Sequence, residues 1–368
     1  MPERDTDGPF LFSVDHCFAI KGQGTVLTGT MLSGSVKIGD QIELAGKKEL
    51  RKVKSMQMFR KPVNVAVQGD RLGICVTQLD AKAIERAVLC TPDSLPMITC
   101  IVCSVNKIRF FKGDVKSKAK FHLSIGHTTV MCTATFFGSD EHSTFAAGNE
   151  YRAMDELFVA GEEVAGGDDG TVRLAHQYAV LEFDSAINCR ADSLIIGSRL
   201  DTDVHLTTCR LAFSGQIVHH TTDLAYKKSL LPTIKIYKTK TKEGVVDTMN
   251  DSMTVICRGL FTKETPIDKF IGVKIRLETG EEGVIEGTFG KSGKFNVRIP
   301  EGLKDETAAR LKPKGKKKGK GKAAAADGGD DAAAAAAGGA AADRQPVKIF
   351  MEHKRYTFDP EKTLRQGK

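Results

Sequence analysis

The sequence predicts a mainly β protein: small β-barrels or sandwiches in tandem, followed by a small β-rich C-terminal domain. Three observations carry this. Short runs rich in Val, Ile, Thr and Phe recur along the chain, separated by Gly, Pro or charge. No long helical pattern interrupts them, which points to a small barrel or sandwich. The chain is also 41% hydrophobic, enough to build cores and to exclude wholesale disorder.

Taken in order, the first block spans 10–95. Residues 25–32, the turn dipeptide Ser33-Gly34 and residues 35–44 read as paired strands, followed by short β runs at 53–59, 63–67 and 71–77. Residues 81–88 form a two-turn helix at most. Pro92 and Pro96 punctuate the boundary to a second β block, 96–215. Within it, 139–170 holds nine acidic residues against the single base Arg152. It is expected to be a solvated, disordered insertion, with a short helix near 152–160. A third block comprises 216–302 and 344–368, with β runs at 233–239, 253–257, 271–277, 283–289 and 293–299. Between its two parts, 303–343 is a low-complexity linker, basic and then Ala/Gly-rich. The strand signal at 347–358 returns to close the third block's sheet.

Charge and cysteine narrow the function classes. The formal net charge is +8, and the segment 303–322 alone holds nine basic residues against two acidic ones. A nucleic-acid-facing surface is therefore sought in the C-terminal third. No apolar run reaches the roughly 18–20 residues that span a bilayer, so no membrane partner is expected. Nine cysteines, an odd number at irregular spacing, do not form a disulfide framework. The chain reads as soluble and cytoplasmic, and the basic run resembles a nuclear-localisation signal.

The nucleotide-binding signals are decoys. Gly290-Lys291-Ser292 ends like a phosphate loop, but Ile285 stands where its first glycine belongs. Gly22-Gln-Gly24 opens like a dinucleotide fingerprint, yet Leu27 takes the third glycine's place. Asn106-Lys107-Ile108-Arg109 mimics a guanine-specificity motif but ends on Arg instead of Asp. Cys100-Ile-Val-Cys103 has metal-ligand spacing but is a solitary pair in a strand-like run, with its side chains on opposite faces. His219-His220 reads as a strand-end surface pair. No catalytic residue, metal or cofactor is assigned to this chain.

Three motifs remain: Phe18-Ala-Ile-Lys-Gly-Gln-Gly-Thr-Val-Leu-Thr-Gly-Thr30, Val67–Val76 followed by Ile84–Leu89, and Ile196–Val204. The first two resemble the second-domain β-barrel of the elongation factor Tu-type translational GTPases: Phe-x-Ile-x-Gly-x-Gly-Thr-Val-x-Thr-Gly, then Gly-Asp-x-x-Gly, then Glu-Arg. Within that group, Val14-Asp-His-Cys-Phe18, Lys54–Phe59, Gly69–Gln78, Lys118–His122, Gly197–Asp201 and Lys354-Arg-Tyr resemble the eukaryotic selenocysteine-specific factors. The resemblance starts after the family's GTPase domain, so GTP and magnesium would bind a domain that this chain lacks.

The resemblance implies a translation elongation factor that binds selenocysteinyl-tRNA. It would couple that tRNA to the ribosome and to the selenocysteine insertion element RNA with its binding protein. Asp15, His16 and Arg71 match the amino-acid pocket. Ordinary tRNA-delivering factors typically carry an acid at the position of His16 and Asn at that of Arg71. A selenol is more acidic than a thiol, so a guanidinium suits its anion. A plainer reading stays open, with Arg71 pairing with Asp70 at the surface and Asp15-His16 capping a turn. For the C-terminal block, Lys227, Lys228, Lys235, Lys238, Lys240 and Lys242 are candidate phosphate contacts along one extended run. The last three share one strand face, and Lys316, Lys317 and Lys318 add non-specific affinity. The alternative function is a non-catalytic RNA-binding or scaffold protein that retains the barrels.

Overall fold

The computed structural model describes residues 4, 6–81, 84, 86–159, 174–201, 208–290, 293–311, 346–359 and 364–366. They fall into two compact units, 1–236 and 237–368.

The first unit begins with β1 (Leu11–Ile20), β2 (Gly24–Ser33), β3 (Ser35–Lys37), β4 (Gln41–Leu44), β5 (Glu49–Met58), β6 (Lys61–Val63), β7 (Val65–Val67), β8 (Arg71–Val76) and β9 (Ala87–Cys90). The order β4-β9-β1-β2-β8-β5 closes into a six-stranded antiparallel ring because β4 also pairs with β5. Alternation fills it: Leu27 and Met31 of β2 and Leu72, Ile74 and Val76 of β8 point inward. Their neighbours Val26, Thr28, Thr30, Arg71, Gly73 and Cys75 take the outer face. The Ser33-Gly34 junction, expected to turn a hairpin, instead sends β3 away to pair with β7. Gly34, at φ +68°, packs against the chain entering β1, where a Cβ would lie 2.4 Å from the Gly8 carbonyl oxygen. Of the helix expected over 81–88, residues 82, 83 and 85 lie outside the described set. Its end is strand β9, which closes the ring between β1 and β4.

A second ring uses β10 (Met97–Lys107), β11 (Lys120–Ile125), β12 (Thr128–Ser139), β14 (His176–Asn188), β15 (Leu194–Ser198) and β16 (Leu211–Thr221), with β13 (Glu150–Ala153) added beside β12. A T-shaped cluster of Phe121, Phe136 and Phe213 anchors its core. The Ser13 hydroxyl and His127 Nε2, 2.6 Å apart, join the two rings, as does the Asn188 amide donating to the Leu95 carbonyl.

The solvated insertion is corrected over 139–159. Residues 150–153 are strand, not helix, and Tyr151, Met154 and Leu157 are at most 1% exposed. Phe137, Phe145, Tyr151 and Tyr178 stack into one aromatic cluster. Burying each large apolar side chain stabilises by about 1.5–3 kcal/mol, which outweighs the solvation preference of the acids between them. Residues 160–170 lie outside the described set.

After α1 (Tyr226–Ser229), the second unit contains β17 (Lys235–Met249, entering from the first), β18 (Thr254–Arg258), β19 (Lys274–Leu277), β20 (Glu282–Phe289), β21 (Lys294–Arg298), α2 (Asp305–Leu311), β22 (Lys348–Tyr356) and β23 (Leu364–Arg365). The pairings β17-β18-β21-β20-β19-β22 close a third ring, because β22 returns to β17. The linker expected from 303 begins later than the sequence suggested. Helix α2 packs down with Thr307 fully buried, and Arg310 is 2.7 Å from Glu278.

Candidate nucleic-acid interface

The first ring's outer face is shaped by a β-bulge. Register between β1 and β2 shifts between Val14 and His16, leaving Asp15 as the extra residue. Val14 and Cys17 both point toward the core, so Asp15 and His16 both turn outward, where strict alternation would hide one of them. Gly29 permits this: a Cβ there would lie 1.9 Å from the Ser13 carbonyl oxygen, so only glycine lets β1 approach so closely.

Two strands away, Arg71 reaches back over β2. One guanidinium nitrogen lies 2.8 Å from Asp15 Oδ2 and another donates to Thr30 Oγ1 at 3.1 Å. The Arg71 side chain stays 61% exposed, so this pair orients the guanidinium more than it stabilises the fold. The plainer Arg71–Asp70 pairing does not occur. Asp70 instead accepts from Arg4 at 2.9 Å and from the Val67 amide at 2.9 Å, holding the turn before β8. His16 is exposed on the same face, opposite Thr28, whose hydroxyl donates to the His16 carbonyl at 3.5 Å. Across β2, two strand spacings of about 10 Å in all separate β1 from β8, and Arg71, beside Thr30, is two residues further along than His16, beside Thr28.

Continuing along β1 from His16, the face hollows into a cleft of about 230 Å³. Gly73 of β8 is among the residues that line it. Phe18, Ile20, Val26 and Cys75 contribute apolar lining, and Gln23, Thr28, Ser55, Gln57 and Arg60 polar lining. Phe18 and Ile20 are 45% and 37% exposed, high for large apolar side chains on a strand. The cleft was not legible in the sequence, because the bulge that decides which residues face outward has no composition signal.

The candidate lysines divide. Lys227 and Lys228 lie on the one-turn helix α1, not on an extended run, and Lys227 is 3.9 Å from Glu182, which also accepts from the Tyr226 hydroxyl. Pro232, in the 3₁₀ turn that follows, separates them from the strand that Lys235 begins. In the second unit, Lys238, Lys240 and Lys242 do alternate along one face of β17. They stand opposite Arg355, His353 and Met351 of β22. The Lys242 ammonium lies 5.6 Å from the Phe261 ring centre and 5.8 Å from that of Phe270. Lys316, Lys317 and Lys318 lie outside the described residues. Cys100 and Cys103 are wholly buried in β10, and burial pushes both thiols well above their ordinary range, so neither is poised as a ligand thiolate.

Comparison with known proteins reads the same three rings. The family model for elongation factor Tu domain 2 matches residues 24–86, that for the third domain of eukaryotic selenocysteine-specific elongation factors 102–215, and that for the eEFSec C-terminal RIFT domain 232–362. The mouse selenocysteine-specific elongation factor is 42% identical over 389 aligned positions, covering 100% of this chain and 65% of the mouse protein. Along its whole length the chain is thus similar to selenocysteine-specific elongation factors. The factor of that name from Methanocaldococcus jannaschii is 27% identical over 302 positions, covering 81% of the chain and 58% of its own length. The apo crystal structure of elongation factor SelB from Methanococcus maripaludis superposes with a TM-score of 0.59 at 25% identity, over 96% of this chain and 63% of that one. The chain thus spans less than two thirds of the length of these relatives.

Proposed function

We propose that this chain forms the part of a selenocysteine-specific elongation factor that holds the aminoacyl end of selenocysteinyl-tRNA and engages RNA through its C-terminal ring. The observation that carries the reading is the Asp15–Arg71 pair, seated on the bulged face beside a cleft of mixed polar and apolar lining. A selenol ionises more readily than a thiol, so the esterified amino acid ends in an anion at neutral pH. Arg71, held by Asp15 and Thr30 but largely exposed, offers that anion an oriented guanidinium without first having to be extracted from a buried pair. Asp15 also suits the free α-amine of the aminoacyl ester, and His16 approaches from the other side of β2. The cleft suits a planar, mostly apolar group with polar edges, such as the terminal base of the tRNA.

GTP and magnesium would bind outside these residues, and the whole factor would act in the cytoplasm. The basic face of β17 supports contact with the RNA backbone, whose sources would be the ribosome and the selenocysteine insertion element with its binding protein. A titration tests the anion. Affinity for selenocysteinyl-tRNA, divided by that for seryl-tRNA to remove effects common to both, falls as acid protonates the selenol. A ratio flat from pH 8 to pH 5 would reject the selenolate and favour a barrel scaffold that binds RNA without reading the amino acid.

A further inference from the structure

In the third ring, the face shared by β17 and β22 changes character along its length. From one end it runs Val246 and Gly244 against Val347 and Ile349, all apolar or small. At the other it runs Lys242, Lys240 and Lys238 against Met351, His353 and Arg355. The strand period turns the nearby acids away: Glu243 and Glu352 lie on the opposite face, where Glu243 pairs with Lys348 at 3.6 Å. The basic end therefore carries no carboxylate of its own strands.

His353 sits where the two characters meet. It is 8% exposed, directly across from Lys240, and its buried Nδ1 has no hydrogen-bond partner. Leaving such a group unsatisfied costs free energy that a bound ligand would recover. From the connection after β18, the Phe261 and Phe270 rings lie under the Lys242 ammonium.

We infer that this end of the third ring is a phosphate site, in which Lys240, Lys242 and Arg355 gather an RNA backbone phosphate against the Nδ1 of His353. It rests on the RNA-facing reading of the ribbon and sharpens it to one locus. Cations two residues apart on a strand are about 6.8 Å apart, a regular row suited to a polyanion. In the unbound protein, burial first and then Lys242, Lys240 and Arg355 hold the His353 imidazole below its ordinary pKa, so it is neutral. A phosphate reverses the sign of the local field, so the imidazole takes up a proton and donates Nδ1–H to the ligand. Binding is then tighter at pH 6 than at pH 8.

The test uses the full chain, a short RNA hairpin, inorganic phosphate and a poly-glutamate peptide, at fixed salt. RNA affinity is expected to rise about three- to tenfold from pH 8 to pH 6, and His353→Gln to flatten that rise. Lys240→Gln and Arg355→Gln should each weaken RNA binding and lower the salt slope by about 1. If those two variants weaken binding but His353→Gln leaves the pH profile intact, the site is wrong and the RNA-facing ribbon stands. If Lys238→Gln, Lys240→Gln and Arg355→Gln all leave RNA affinity unchanged, the ribbon reading itself fails. Inorganic phosphate shifting the His353 ring resonances when RNA does not would assign the site to a free anion and overturn the RNA source, as would poly-glutamate displacing RNA at equal charge.

Discussion

At the scale of single residues, the interface depends on a glycine and an arginine that the sequence presents side by side with decoys. Gly29 belongs to the Thr25–Thr30 signature, and its necessity is steric: a methyl group there meets the Ser13 carbonyl oxygen at 1.9 Å and the Phe12 ring at 3.0 Å. Gly29→Ala is therefore expected to cost about 1–3 kcal/mol by forcing β1 away from β2. Chemical denaturation measures it, and an unchanged midpoint would show that the bulge yields freely. Arg71 was legible only as a candidate. Its neighbour Asp70 is the obvious partner in sequence, yet Asp70 is already committed to Arg4 and the Val67 amide, and the true partner, Asp15, lies 56 positions away. Pairings of that kind follow from strand register, which local sequence does not encode. The same holds for His353, a histidine in a strand signal until β17 places Lys240 across from it.

At the scale of elements, strand alternation was largely readable and its interruptions were not. The strand expected over 347–358 forms as β22 and closes the third ring between β17 and β19. Composition misled where apolar residues were few but well placed. In 139–159 the acids dominate the count, while Phe145, Tyr151, Met154 and Leu157 do the packing. The same effect explains α2, where the basic run drew attention from a helix whose Thr307 is fully buried. If β13 is an integral part of the second ring, Tyr151→Ala should destabilise that unit by about 3 kcal/mol or more, from the cavity and the lost edge-to-face contacts with Phe137 and Tyr178. Tyr151→Phe should cost less, losing only the hydroxyl that donates to the Ala146 carbonyl and accepts from its amide. Thermal melts of the two variants check this; equal, negligible shifts would restore the segment to a solvated loop.

At the scale of the whole molecule, the strands close into three rings, and the two candidate surfaces lie on the first and the third. The first ring carries an outer face on which a bulge and a long-range ion pair meet. The third supplies a ribbon whose charge is concentrated by alternation. Both surfaces use side chains on strands, so their spacing is fixed before any ligand arrives, which lowers the ordering cost of binding. The most direct measurement is the ratio of the Kd for seryl-tRNA to that for selenocysteinyl-tRNA, on the wild type, Arg71→Ala and Arg71→Lys. A guanidinium that reads the selenolate makes the ratio fall about tenfold or more in Arg71→Ala, with partial recovery in Arg71→Lys, since a charged hydrogen bond is worth about 1.5–3 kcal/mol. Equal weakening for both tRNAs, leaving the ratio where it began, would contradict it.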